Sequence, residues 1–376
     1  MSLIKNIARA FKPGFLRNTL AKRGNHPGHI IFLMKNHCNA NCIMCGLQYR
    51  DSAKRGEITL EDAKTIFGNL DMNRIRTITF SGGGDPLLAG DLTGIIEYTR
   101  KEYPGAALGM FTNGIALSNE YAERIVEAGF FEVVISINAS TAPVHKMITG
   151  VDCFEKVVEN TRNLVRVRNA SGAKTRVRLS FVALRQNIDD LPNLIALASE
   201  LGVDEVSAQY CRFYSHRFVP GTADGNRKIN DEDSLFYHKE YSDKIFSAAI
   251  EEAKARKVKF TCEPLFGEAR GRRKCRSDCL YPWTTILVGP EGEVYPCGGG
   301  EVMFYKALLT GRRYFGNLLK EKISDFWNNR DYQSLRRSCI RKNLGGETGQ
   351  CGNCNHTIAF KGPNDRDSHF INIDVE

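Results

Sequence analysis

From His29 onward, short apolar runs of β type alternate with segments whose apolar positions recur at helical spacing. That alternation predicts repeated βα units around a parallel sheet, an α/β fold. The predicted strands are His29 to Met34, Ile75 to Phe80, Ala107 to Thr112, Phe131 to Ile137, Thr175 to Leu184 and Asp204 to Tyr210. Thr59 reads as the N-cap of the first helix, with Glu61 and Asp62 in its first turn. Further helices are expected from about Asp91 to Glu102, after Ser118, from Phe154 to Val167, from Leu191 to Leu201 and around Ser234 to Ala255. Six units over roughly 230 residues are too few for a closed eight-unit barrel. After residue 260 the alternation stops, and Thr285 to Val288, the turn Gly289-Pro290-Glu291-Gly292 and Glu293 to Cys297 read as a hairpin.

Parallel sheets gather their chemistry at the carboxyl ends of the strands. After the first strand comes Cys38-Asn39-Ala40-Asn41-Cys42-Ile43-Met44-Cys45, three cysteines spaced C-x3-C-x2-C. Three thiolates on one loop fit an iron–sulfur cube with one iron left open, or half of a zinc site. After the second strand, Ser81-Gly82-Gly83-Gly84-Asp85-Pro86 bares backbone to close approach by a ligand. Thr112-Asn113-Gly114 follows the third strand, and Ser136, Asn138 and Ser140 the fourth. Tyr210, Arg212, Tyr214, His216 and Arg217 end the sixth.

The bulk properties narrow the classes. A hydrophobic fraction of 42% and a charged fraction of 25% are those of a globular protein able to form a core without disulfides, so its cysteines, twelve in all, read as metal ligands rather than bridges in a reducing, cytoplasmic setting, with most of Cys153, Cys211, Cys262, Cys275 and Cys339 left as ordinary core or surface residues. No signal sequence and no apolar run of membrane-spanning length is present. The net charge is +9, with no acid before Asp51. Residues 2–12 fit a short basic amphipathic helix. Such a helix packs across the end of the main domain or touches an anionic membrane surface; one short helix binds lipid weakly, which favours packing. No nucleic-acid module is recognisable, so charge alone does not make this a DNA or RNA binder.

The cysteine triplet, the glycine turn as a variant of SGxGEP with Asp85 for Glu, and Ile135-Ser136-Ile137-Asn138 with His145 resemble the radical SAM superfamily over roughly residues 29–260. The resemblance implies a partial (β/α)6 barrel and a [4Fe–4S] cluster on Cys38, Cys42 and Cys45, whose open iron binds S-adenosylmethionine. It implies that Gly83, Gly84 and Asp85 hold the amino end of that cofactor. Met44, Asn113, Ser136, Asn138, Arg178 and Asn187 are its further contacts. A low-potential donor such as flavodoxin or ferredoxin would supply the electron. Tyr210, Arg212 and His216 are the expected substrate contacts, because they follow the sixth strand toward the open mouth.

A second set, Cys279, Cys297, Cys351 and Cys354, supplies four thiolates, which by spacing suit zinc and iron–sulfur about equally. With Phe315-Gly316-Asn317-Leu318 and Trp327, it resembles the SPASM/twitch extension of the same superfamily. The spacing resembles that of its aminocyclitol dehydrogenases, implying a single auxiliary [4Fe–4S] cluster. The expected organisation is a basic segment 1–28, a barrel 29–260, an auxiliary domain 261–362 and a tail 363–376. The basic run Arg270, Arg272, Arg273, Lys274 and Arg276 offsets a cluster charge of about −2 or meets an anionic substrate.

The leading expectation is hydrogen abstraction from a small hydroxylated, sugar- or aminocyclitol-like molecule, with the auxiliary cluster relaying electrons. Modification of a ribosomal peptide is the alternative; about 28 residues before the barrel are short for a separate leader-binding domain. A non-catalytic iron–sulfur or zinc protein would need neither the glycine turn nor polar residues at successive strand ends.

Overall fold

The computed structural model describes residues 26–45, 56–211, 213–214, 229, 231–263, 265–269, 281–296, 315–341 and 370–371. The basic helix expected over 2–12, together with Arg212, His216, Cys279, Cys297, Cys351 and Cys354, lies outside the described residues.

Strands β1 (His29–Leu33), β2 (Thr77–Ser81), β3 (Ala107–Thr112), β4 (Glu132–Ser136), β5 (Arg176–Ala183) and β6 (Glu205–Tyr210) run parallel in that spatial order. The helices between them are α1 (Leu60–Gly68), α2 (Leu92–Glu102), α3 (Asn119–Glu127), α4 (Ala142–Thr149), α5 (Phe154–Ser171), α6 (Leu191–Leu201) and α7 (Lys239–Arg256). Local signals work as read: Thr59 and Asp62 form a reciprocal capping box on α1, and the Ser118 hydroxyl caps α3. The sequence reading missed α4. Pro143 at its start and left-handed Gly150 at its end confine it to eight residues, so it reads as loop.

The sheet extends beyond the six units. Three later strands are β8 (Lys259–Cys262), β9 (Thr285–Val288) and β10 (Val294–Tyr295), preceded by the short β7 (Phe213–Tyr214). β8 adds parallel to β6, β9 adds parallel to β1, and β10 turns back antiparallel on β9. The order among the described residues is β10-β9-β1-β2-β3-β4-β5-β6-β8. The hairpin expected in a separate auxiliary domain is therefore hydrogen-bonded onto the barrel sheet. A two-residue β11 (Phe370–Ile371) pairs parallel with β7, away from the main sheet.

Along β5, Val177, Leu179, Phe181 and Ala183 are buried in the core shared with the helices, while Arg176, Arg178, Ser180 and Val182 alternate onto the inner face. The amino-terminal half of that inner face is charged. Glu205 takes Arg176 and Lys259, each at 2.6 Å, and the Thr261 hydroxyl at 2.9 Å. Arg178 pairs with Glu132 at 2.8 Å, and the His29 ring bonds Thr79. The carboxyl-terminal half carries small residues, with Ser136 beside Ser180 across β4 and β5. The arrangement gathers the ion pairs at the end of the barrel opposite the strand-end loops.

Burial acts against the charge on Glu205, but the Lys259 and Thr261 donors outweigh it and hold the carboxyl below its ordinary value. Its stabilisation is therefore complete above the usual glutamate range of about 4.3 and is lost as pH falls through the lowered folded value. Glu205→Gln should lower unfolding stability by about 2 kcal/mol at pH 7, with the difference shrinking in acid. Urea unfolding at several pH values measures this, and a pH-independent difference would remove the carboxylate as its source.

Candidate active site

The loop leaving β1 presents Cys38, Cys42 and Cys45 as half-buried thiols. Two neighbours hold it. On one side, the Asn41 and Ile43 amides donate to the Thr149 and Ile148 carbonyls at 2.8 and 2.9 Å, so the end of α4 acts as a backbone partner. Gly150 follows with φ 71°, and a Cβ there would come within 2.9 Å of the Asn41 oxygen. On the other side lies the glycine turn after β2. The Asp85 amide donates to the His37 carbonyl at 3.1 Å. A Cβ on Gly84 would stand 1.8 Å from that same oxygen. Only glycine permits this approach.

Asp85 adds a third brace. Its carboxylate, 2% exposed, accepts from the Leu87 amide at 3.0 Å, the Thr112 hydroxyl at 2.8 Å and the Asn113 amide at 2.7 Å. Burial pushes this carboxyl up, and the three donors work in the opposite direction. The side chain is thus enclosed between the turn and the end of β3, whereas the resemblance implies a contact to the cofactor's amino end. The half-buried backbone of Gly84 remains available for that contact, with Gly83 buried beside it.

Other expected cofactor residues divide by what they touch. The Asn113 side chain donates to Cys38 Sγ at 3.4 Å and to Asn39 Oδ1 at 2.8 Å. Asn138 Oδ1 accepts from the Val182 amide, and Asn187 donates to the Asn138 and Val182 carbonyls while accepting from the Leu184 amide. Both ends of the Asn187 amide are engaged by backbone, so it locks the loops after β4 and β5 together. Ser136 stands half buried at the end of β4. Met44 packs on the apolar cluster of Ile43, Ile148, Leu184, Cys211 and Ile229.

Two expectations are corrected. Arg178 lies in the amino-terminal half of β5, bonded to Glu132 on the charged side of the barrel, remote in register from the loop ends. Tyr210 points outward: it is 2% exposed, with ring centroids 5.9, 5.1 and 4.7 Å from Phe236, Phe246 and Phe266. Burial pushes its phenol far above the usual range. Strand alternation is the reason. Its neighbour Gln209 is the exposed residue at that end of β6 and was missed by the sequence reading. Phe111, 44% exposed near the end of β3, was missed as well, because an aromatic in a strand reads as core.

Burial, together with Cys45 and Cys38, raises the Cys42 thiol far above its ordinary value, and burial also raises Cys38. Charge on three neighbouring sulfurs therefore needs a cationic partner. Among the described residues no three His, Cys, Asp or Glu side chains form the cage of a single metal ion. Two N–H groups on Cys38 Sγ, from Ala40 and Asn113, suit a thiolate ligand. The buried Ser140 Oγ and Gln186 Oε1, beyond β4 and β5, have no hydrogen-bond partner and suit a polar cofactor at this end.

Comparison with known proteins agrees with this geometry. The profile of the Radical SAM superfamily matches residues 33–198, and that of the SPASM iron–sulfur cluster-binding domain matches residues 279–355. The mycofactocin maturase MftC of Mycobacterium tuberculosis is 29% identical over 167 residues, 44% of this chain; the chain spans only 40% of that relative's length. An AdoMet-dependent heme synthase of Methanosarcina barkeri is 24% identical over 350 residues, covering 88% of this chain and 89% of the relative. Among solved structures, Streptococcus suis SuiB bound to precursor peptide SuiA superposes with a TM-score of 0.63 at 15% identity, covering 85% of this chain and 70% of that one.

Gly84→Ala should force the glycine turn off the His37 carbonyl. The expected result is a marked loss of iron at the β1 loop, read by iron analysis and visible absorption after anaerobic reconstitution. Wild-type iron content would show that this contact does not hold the site.

Proposed function

We propose, on the premise that this chain belongs to the radical SAM superfamily and carries a SPASM iron–sulfur domain, that it is a maturase acting on a peptide. When bound, the cluster and S-adenosylmethionine supply a 5′-deoxyadenosyl radical through one-electron cleavage of the sulfonium. The chain's own residues position that chemistry. Cys38, Cys42 and Cys45 would hold the cluster, the backbone of Gly83 and Gly84 would meet the cofactor's amino end, and Ser136 would offer it a hydroxyl. The observation that carries the reading is the convergence of the thiol loop, the glycine turn and the asparagine lock at one sheet end, above an inner face lined by small residues.

The peptide is supported by the likeness to a mycofactocin maturase. It takes precedence over the hydroxylated small molecule expected from the cysteine spacing. A second reading, synthesis of a heme-type product, is favoured by one observation: the likeness to a heme synthase runs over nearly the full length of both chains. Arg212 and His216 remain candidates for substrate contact, and Gln209 joins them. Cys279, Cys297, Cys351 and Cys354 are the proposed ligands of one auxiliary cluster that relays electrons.

With dithionite and S-adenosylmethionine, the reconstituted protein should release 5′-deoxyadenosine, and Cys42→Ala should abolish release. No cleavage from fully loaded protein would overturn the radical assignment. Iron should approach about eight per chain and fall to about four in the Cys279→Ala, Cys297→Ala double variant; zinc at the second site would refute the auxiliary cluster. For the substrate, short peptides encoded beside the gene are incubated with the loaded enzyme. A mass change in such a peptide is expected, and turnover of a tetrapyrrole instead would select the second reading.

A further inference from the structure

Asn113 is the one side chain of the β3 end that reaches a sulfur of the cysteine loop among the described contacts, and its orientation is set by the hydrogen bonds around it. Its Oδ1 accepts from the Ile115 amide at 2.9 Å, which turns the NH2 group toward the loop. One hydrogen of that group meets Asn39 Oδ1 at 2.8 Å and the other meets Cys38 Sγ at 3.4 Å. The Asn113 backbone amide is held by Asp85 at 2.7 Å. The donor is therefore fixed from both sides. The Ala40 amide adds a second N–H to the same sulfur at 3.4 Å.

We infer that Asn113 is a positioning residue that sets the reduction potential of the cluster through its N–H···S bond to Cys38, rather than a direct contact to S-adenosylmethionine. The physical basis is charge. Reduction adds one electron, from an external low-potential one-electron donor, to a cluster whose oxidised form already carries negative thiolates. A fixed N–H dipole aimed at one of those sulfurs stabilises the more negative, reduced form and raises the potential. Asp85 and the glycine turn carry Asn113, so the cofactor's side of the site and the electron-accepting side share one support. This inference does not depend on the substrate class.

The test uses the full chain, reconstituted anaerobically and titrated in redox mediators. The readout is the electron paramagnetic resonance signal of the reduced cluster that responds to added S-adenosylmethionine. Asn113→Asp keeps the acceptor for Ile115 and replaces the donor with an oxygen; Asn113→Ala removes the donor without adding charge. Both should shift the midpoint to more negative potential. Asn113→Ala should lower the reduced-to-oxidised ratio at the wild-type midpoint about fivefold or more. Asn39→Ala, which disturbs the same loop but leaves the Asn113 donor on Cys38, should stay near wild type. An unchanged midpoint in a fully loaded Asn113→Ala protein overturns the inference, as does an equal shift in Asn39→Ala. Loss of the cluster from both Asn113 variants with normal loading of Asn39→Ala also overturns it, since the side chain would then be a structural support. In each case, continued release of 5′-deoxyadenosine by the wild type leaves the family assignment standing.

Discussion

The structure turns on one close approach, the backbone of Gly84 against the carbonyl of His37. The two segments are far apart in sequence, and each leaves a different strand. Their contact places the cysteine loop and the glycine turn on a common platform. Asp85 extends that platform to β3 through Thr112 and Asn113, while the end of α4 secures the loop from the opposite side. Without these supports, three half-buried thiolates would repel one another on an otherwise irregular loop.

Polarity is distributed along the barrel according to the same logic. The amino-terminal half of the inner face satisfies its charges internally through Glu132, Arg178, Arg176, Glu205 and Lys259. Removing one partner there would leave a poorly hydrated charge, so the network fixes strand register as well as adding stability. The carboxyl-terminal half carries serines and exposed Gln209 and Phe111 instead.

The sheet also connects the barrel to the segment that carries the second cysteine set. β9 pairs directly with β1, whose following loop holds Cys38, and Trp283 lies buried just before β9. A shared sheet gives a rigid relation between the first cysteine loop and the chain leading out of Cys279.

Much of this was legible in the sequence because it is local or periodic. The six parallel strands follow from apolar runs, the caps at Thr59 and Ser118 from side chains that satisfy neighbouring amides, and the cysteine loop from ligand spacing. The roles of individual polar residues were not legible. Tyr210 and Gln209 are adjacent, and only the strand's alternation in space sends the first into an aromatic core and leaves the second exposed. Asp85 and Asn187 have the composition of ligand contacts, yet Asp85 is hydrogen-bonded to Leu87, Thr112 and Asn113, and Asn187 to the backbone of Asn138, Val182 and Leu184. Arg178 could be placed on β5 from sequence, but not at the charged end, because that depends on Glu132 across the register. The sequence by itself determined the fold and the chemistry's location. Tertiary structure decided which polar groups hold the loops together and which are left at the open end of the sheet, since that choice depends on contacts between segments distant along the chain.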